Sequence, residues 1–235
     1  MSLVLALKGK DGIVMASDSR ATIGDPRGMT TANDTVQKVF TLNNKLILGM
    51  AGNANIGLSL IQEFKRRENE FSHLNKTIDI LRRISCNKMK DWFGQPEVVT
   101  SQNILKRWPV ILFLVAGYDR EEIGIYTLNS THNFAPEATT LNFSAIGVVP
   151  LAIYLLNRLH DPDASVESLK LLAIYCIRET ATQDGKVGGP VQMTIIKENG
   201  IISISKDEIN KLVLASENYN TLLKNAFYRG EVDEY

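Results

Sequence analysis

Residues 109–116, Pro-Val-Ile-Leu-Phe-Leu-Val-Ala, form an unbroken apolar run rich in strand formers. A strand of that composition has no face fit for water, so it must be covered on both sides. The surrounding chain offers the covering layers. Before it stand two helical patterns, one with apolar positions Ile56, Leu60, Phe64 and Phe71, the other with Ile78, Leu81, Ile84, Cys86, Met89 and Phe93. After it, Pro150 to His160 reads as a helix with proline in its first turn, and Ser165 caps a longer one. The inward face of that longer helix is Val166, Leu169, Leu172, Ala173, Cys176 and Ile177.

Strand patterns fill the intervals. Leu3–Leu7 and Ile13–Ala16 flank Gly9-Lys-Asp-Gly12, which is turn chemistry and predicts a hairpin. Thr22 to Asp34 reads as a polar loop, Val36–Phe40 as a strand, Leu42–Lys45 as a turn and Leu46–Ala51 as a strand. Gln95 to Arg107 reads as a loop. Gly117-Tyr-Asp-Arg120 is expected to turn the apolar run into a strand over Ile123–Leu128, and Leu141–Ile146 follows as another. Val191–Lys197 and Ile201–Ser205, split by Glu198-Asn-Gly200, predict a second hairpin. Asp207–Tyr228 is a last helix, and 229–235 reads as a loose end. Strand clusters alternating with helix pairs predict an α+β sandwich of two sheets between two helical layers, formed as one domain over residues 1–235.

The chain has 235 residues, enough for a sizeable core. Its 26 basic and 26 acidic residues balance, which argues against nucleic acid or an anionic membrane as a partner. No apolar stretch reaches the roughly 18 residues of a membrane span. The N-terminal apolar run ends at Lys8, too short for a signal peptide. Two isolated cysteines, Cys86 and Cys176, make no disulfide framework, so a cytoplasmic location is expected. His73, His132 and His160 lack ligand spacing, and no metal or other cofactor is expected. Lys65-Arg-Arg67 with Arg82-Arg83 reads as a solvated helix face.

The chemistry-bearing feature is the start of the first strand. Ser2 follows Met1, and so small a second residue is the usual condition for methionine removal. The chain would then begin with a hydroxyl and a free α-amine on one carbon. With a reference pKa of about 7.7–8.0, that amine is partly unprotonated near neutral pH and can serve as the general base.

Several stretches, taken in chain order, resemble the proteasome β-subunit family of N-terminal nucleophile hydrolases. They are Lys10-Asp-Gly-Ile-Val-Met-Ala-Ser-Asp-Ser-Arg20, Val36-Gln-Lys-Val-Phe40 and Ile47-Leu-Gly-Met-Ala-Gly-Asn53, then Ile146-Gly-Val-Val-Pro150 and Asp184-Gly-Lys-Val-Gly-Gly189. The resemblance implies a four-layer αββα sandwich. It puts the family's N-terminal nucleophile on Ser2, its strand-end aspartate on Asp18 and its buried lysine on Lys38. The oxyanion-hole glycine falls on Gly49 and the later loop aspartate on Asp184. Ala21, Val36, Ile47 and Ala51 would line an apolar substrate pocket. The implied activity is peptidase or amidase action on a peptide or protein substrate, inside a ring or stack of like copies, with an ATPase as a possible partner. Serine in place of threonine implies slower turnover, because the β-methyl that restricts the rotamer is gone. Two site serines of the family are replaced by Gly147 and Val187, which implies fewer hydrogen-bond partners for the nucleophile. A non-catalytic structural subunit, or an acyl transferase using the same nucleophile, are the alternative readings.

Overall fold

The computed structural model describes residues 2–24, 30–95, 108–119 and 122–229. The chain opens with β1 (Leu3–Gly9) and β2 (Gly12–Ser17), a hairpin closed where Gly9 faces Gly12. A small separate hairpin, β3 (Ala21–Gly24) with β4 (Thr30–Asn33), follows. Next come β5 (Val39–Asn43) and β6 (Leu46–Gly52), then the helices α1 (Ala54–Arg66) and α2 (Leu74–Phe93). The strands β7 (Ile111–Asp119), β8 (Glu122–Asn129), β9 (Pro136–Ala138) and β10 (Phe143–Gly147) precede α3 (Pro150–Leu159) and α4 (Val166–Gln183). The chain closes with β11 (Gln192–Lys197), β12 (Gly200–Ser203) and α5 (Lys206–Arg229).

These strands form two antiparallel five-stranded sheets, ordered β10-β1-β2-β11-β12 and β5-β6-β7-β8-β9. The alternation of strand side chains sets the layering. On β1, Leu3, Leu5 and Leu7 pack outward under α3 and α4, while Val4 and Ala6 point inward to the facing sheet. On β7, Phe113 and Val115 meet α1 and α2, while Leu114 and Ala116 meet Val4 and Met15 between the sheets. Both faces of both strands are therefore dry, and a one-residue slip would exchange the two cores. The result is an αββα sandwich. Asp11, at the tip of the first hairpin, accepts the Val166 N–H at the start of α4 and so satisfies one of that helix's free donors. Lys170, buried on α4, pairs with Glu167 and with Glu208 and thereby holds α5 to α4. Among the described residues, no helix is long and apolar enough to cross a membrane.

Four local expectations are corrected, and one short strand is added. The segment 22–34 is not all loop, because Ala21–Gly24 pairs with Thr30–Asn33. The strand placed at Val36 starts at Val39, and residues 36–38 are irregular. Phe71 lies beyond α1, after a single 3₁₀ turn at Glu68–Glu70, and reaches the core from there. Gly117 does not turn the chain: β7 continues to Asp119, with Gly117 closely packed against Leu46 and Leu74. The short strand β9 has no apolar alternation and went unpredicted. The turn at Arg120 and nearly all of the loop at 95–107 lie outside the described residues, as does the chain end beyond Arg229.

Candidate active site

Groups from separate parts of the chain converge at the open end of the first hairpin. Asp18 directly follows β2, is fully buried, and has a carboxylate saturated with donors. Oδ1 accepts the Leu3 N–H at 2.9 Å and the Lys38 ammonium at 2.7 Å. Oδ2 accepts the Gly188 N–H at 3.0 Å and the Arg20 N–H at 3.2 Å. Lys38 is 1% exposed and also donates to the Arg20 carbonyl at 2.5 Å. Burial pushes its pKa down, because desolvation penalises the ammonium, while the adjacent Asp18 charge opposes that shift. An isolated buried ammonium would lose its proton; the carboxylate is what holds the charge there.

Ser2 stands directly before Leu3 and is 8% exposed. Its carbonyl accepts the Val148 N–H at 2.8 Å, and Gly147, at φ +94°, packs so closely that an added Cβ would lie 1.7 Å from that oxygen. Only glycine leaves room here. The serine offered by the family resemblance at this position is therefore excluded by contact with Ser2 itself. Val187, at the other replaced serine, is buried in the apolar layer beneath α4.

Ser2 and Lys38 open into a cleft of about 460 Å³. One wall comes from the β3–β4 hairpin, through Ala21, Thr22, Ile23 and Asn33, with Val36 beside it. The other comes from the end of β6 and the start of α1, through Met50, Ala51, Gly52 and the Asn53–Asn55 turn. Asn53 caps α1 by accepting the Ile56 N–H, so the helix begins at the cleft. Among the described lining residues, Lys38 is the one with an ionisable side chain.

The structure thus brings together Ser2, Asp18, Lys38, Ala21, Val36 and Ala51. It separates three predicted residues from them. Ile47 is buried between the sheets and does not line the cleft. Gly49 lies mid-strand, paired with Val39 on one side and Leu114 on the other, and packs so closely on the opposite sheet that a Cβ would meet Val4 Cγ1 at 2.4 Å; it does not line the cleft. Asp184 caps the C-terminus of α4 and accepts the Lys186 N–H at 2.8 Å, outside the cleft lining. The residues missed are Met50, Gly52 and the Asn53–Ala54 turn. Their signal was present: Gly-Asn at a strand-to-helix junction marks a strand end, and strand ends carry sites. Arg20 was also missed. Its guanidinium grips both oxygens of Asp34 (2.7 and 2.8 Å) and reaches the Gly185 carbonyl at 3.2 Å, tying the loop after α4 to the cleft rim.

Two antiparallel five-stranded sheets between helical layers make the αββα sandwich of the N-terminal nucleophile hydrolase fold. Comparison with solved structures agrees: the ancestral β-subunit Anbu from Yersinia bercovieri superposes with a TM-score of 0.73 at 15% identity, over 99% of this chain and 98% of that one. The family model described as Proteasome subunit matches residues 2–196, and the chain belongs to that family. A proteasome subunit beta from Methanosphaera stadtmanae is 27% identical over 207 residues, which span 86% of this chain and 89% of the relative. Proteasome subunit beta 1 from Thermococcus onnurineus is 26% identical over 213 residues, 87% of this chain and 92% of its own length.

Proposed function

We propose that this chain is a β-type subunit acting as an N-terminal serine peptidase or amidase, with cleavage after Met1 exposing Ser2. The observation that carries the reading is the buried Lys38–Asp18 pair: Lys38 lines the same cleft as Ser2, and Asp18 is joined to the neighbour of Ser2 through the Leu3 N–H. Ser2 Oγ attacks the carbonyl carbon of a peptide bond, and its proton passes to the freed α-amine. The C–N bond then breaks, the amine fragment leaves with that proton, and an ester on Ser2 remains. Water, activated by the same amine, releases the acid. The Lys38 ammonium lowers the cost of the developing alkoxide, and Asp18 keeps that ammonium charged and in place. The backbone donor for the oxyanion is assigned to Gly52 at the cleft rather than to Gly49; loss of one such donor costs about 2.7–4 kcal/mol. Ala21, Val36, Met50 and Ala51 favour an apolar side chain before the scissile bond. Assembly into rings of like copies, a cytoplasmic location and service to an ATPase partner belong to the same proposal.

The test is covalent capture. Met1-free, folded protein mixed with a β-lactone electrophile is expected to gain one adduct, mapped by mass spectrometry to Ser2 and absent from Ser2→Ala. A folded, Met1-free sample with no adduct would refute the proposal. The rate should be bell-shaped in pH. It rises as the amine loses its proton, around 7.7–8.0, and falls as Lys38 loses its own, below the ordinary lysine value of 10.5. A non-catalytic structural role is the second reading, favoured by Val187 lying in the core where the family carries a hydroxyl. The same capture experiment separates the two.

A further inference from the structure

The segment that carries Lys38 and the cleft-wall residue Val36 belongs to no strand. Such a segment has backbone groups that need partners, and an unsatisfied one near the core costs about as much as a lost hydrogen bond. Two of these groups are met by one side chain more than 150 residues away. Gln192 Oε1 accepts the Lys38 N–H at 2.9 Å, and Gln192 Nε2 donates to the Val36 carbonyl at 2.7 Å. The amide bonds to the two flanks of Gln37, as the backbone of a neighbouring parallel strand would. The backbone of Gln192, meanwhile, is the first residue of β11 and stands opposite Ser17, the residue before Asp18. One residue therefore spans both sheets at the ion pair. Its main chain lies beside the carrier of the carboxylate, and its side chain holds the carrier of the ammonium.

We propose that Gln192 is a positioning residue for Lys38, its amide clamp on residues 36 and 38 setting the ammonium against Asp18 and beside Ser2. The proposal rests on the reading of Ser2 and Lys38 given above. Length and chemistry both matter. Gln192→Met keeps the volume and loses both hydrogen bonds. Gln192→Glu keeps an acceptor for the Lys38 N–H but turns a second oxygen toward the Val36 carbonyl, so the clamp is half broken and repelled.

The experiment uses Met1-free full-length chain and the β-lactone probe at saturating concentration, well below the melting temperature of each variant. Both variants are expected to acylate Ser2 about tenfold more slowly or worse, the scale on which about 1.4 kcal/mol of barrier acts. The alkaline limb of the rate should also move up toward the ordinary lysine value, because a loosened segment admits water to the ammonium. The charged groups facing that ammonium are Asp18 from the end of β2, Arg20 beyond it and Asp34 before the segment. As a control, Asp11→Ala removes the tie to α4 at the far end of the first hairpin. It should lower the melting temperature while leaving the rate and the limb unchanged. If the Gln192 variants behave like this control, Gln192 is merely structural and the proposal fails. If the unaltered chain forms no adduct, the enzymatic reading fails instead. The clamp is then tested by following the Lys38 Nζ titration with ¹⁵N-lysine NMR, where no upward shift in Gln192→Met overturns it.

Discussion

Replacing Asp18 with asparagine is expected to lower the unfolding free energy by about 3–5 kcal/mol, the range for removing one partner of a buried ion pair. It should also abolish acylation of Ser2. The carboxylate has four donors aimed at it: the Leu3, Arg20 and Gly188 amides and the Lys38 ammonium. An asparagine side chain has one acceptor oxygen and must turn its NH₂ toward two of these donors. Whichever way it points, buried N–H groups face each other without an acceptor. Lys38, already pushed down by burial, loses the charge that most opposed the shift, and its pKa falls further. Urea unfolding gives the stability loss, and the lactone adduct gives the chemistry. An Asp18→Asn protein with near-normal stability would show that the pair is not what organises this end of the sandwich. By contrast, substitution of the Arg20–Asp34 pair, which is part-exposed on both sides, should change stability little, because water and salt screen a surface pair.

Gly147→Ala should disable the site by a different route. A backbone φ of +94° is strained for alanine, costing on the order of 1–3 kcal/mol. The larger effect is steric: the new Cβ would fall 1.7 Å from the Ser2 carbonyl oxygen, a backbone atom, with no flexible side chain to give way. Ser2 must move, and the Val148–Ser2 hydrogen bond must stretch with it. Displacing a reacting group by about 1 Å can cost on the order of a hundredfold in rate. The variant is therefore expected to fold, to melt lower, and to acylate Ser2 at least about a hundredfold more slowly. An unchanged adduct rate would mean that the contact at Gly147 does not fix the nucleophile. These two variants separate charge from placement: the first leaves Ser2 free of a new clash and removes the ion pair, and the second does the reverse.

Much of the architecture was legible along the chain. Residues 3–7 and 13–16 are short apolar runs split by Gly-Lys-Asp-Gly, which suffices for a hairpin, because the turn residues act locally. Helical spacing from Ile56 and from Ile78 located α1 and α2 for the same reason. Asp18 and Lys38 were readable as a pair only through the family resemblance, since nothing local reports that residues 20 apart share a buried hydrogen bond. The misplaced residues all concern position in space. In Leu46-Ile-Leu-Gly-Met-Ala-Gly52, every position is apolar or small, so period two says that sides alternate without saying how far along the strand the cleft lies. Ile47, Gly49 and Ala51 all face the other sheet, and of the three Ala51 lines the cleft, which forms at the end of the strand, at Met50–Gly52.

The sequence by itself determined the order of the core elements, though not β3, β4 and β9, together with the two-sided burial of β7 and the residue types available for chemistry, because backbone periodicity and turn preference depend on near neighbours. Only the tertiary structure decided that Gly147 must be glycine, that Asp184 stands aside from the cleft, and that Gln192 reaches across to Lys38. Each of those depends on the distance between backbones from different sheets, which is set by the packing of the inter-sheet core and is written in no local pattern.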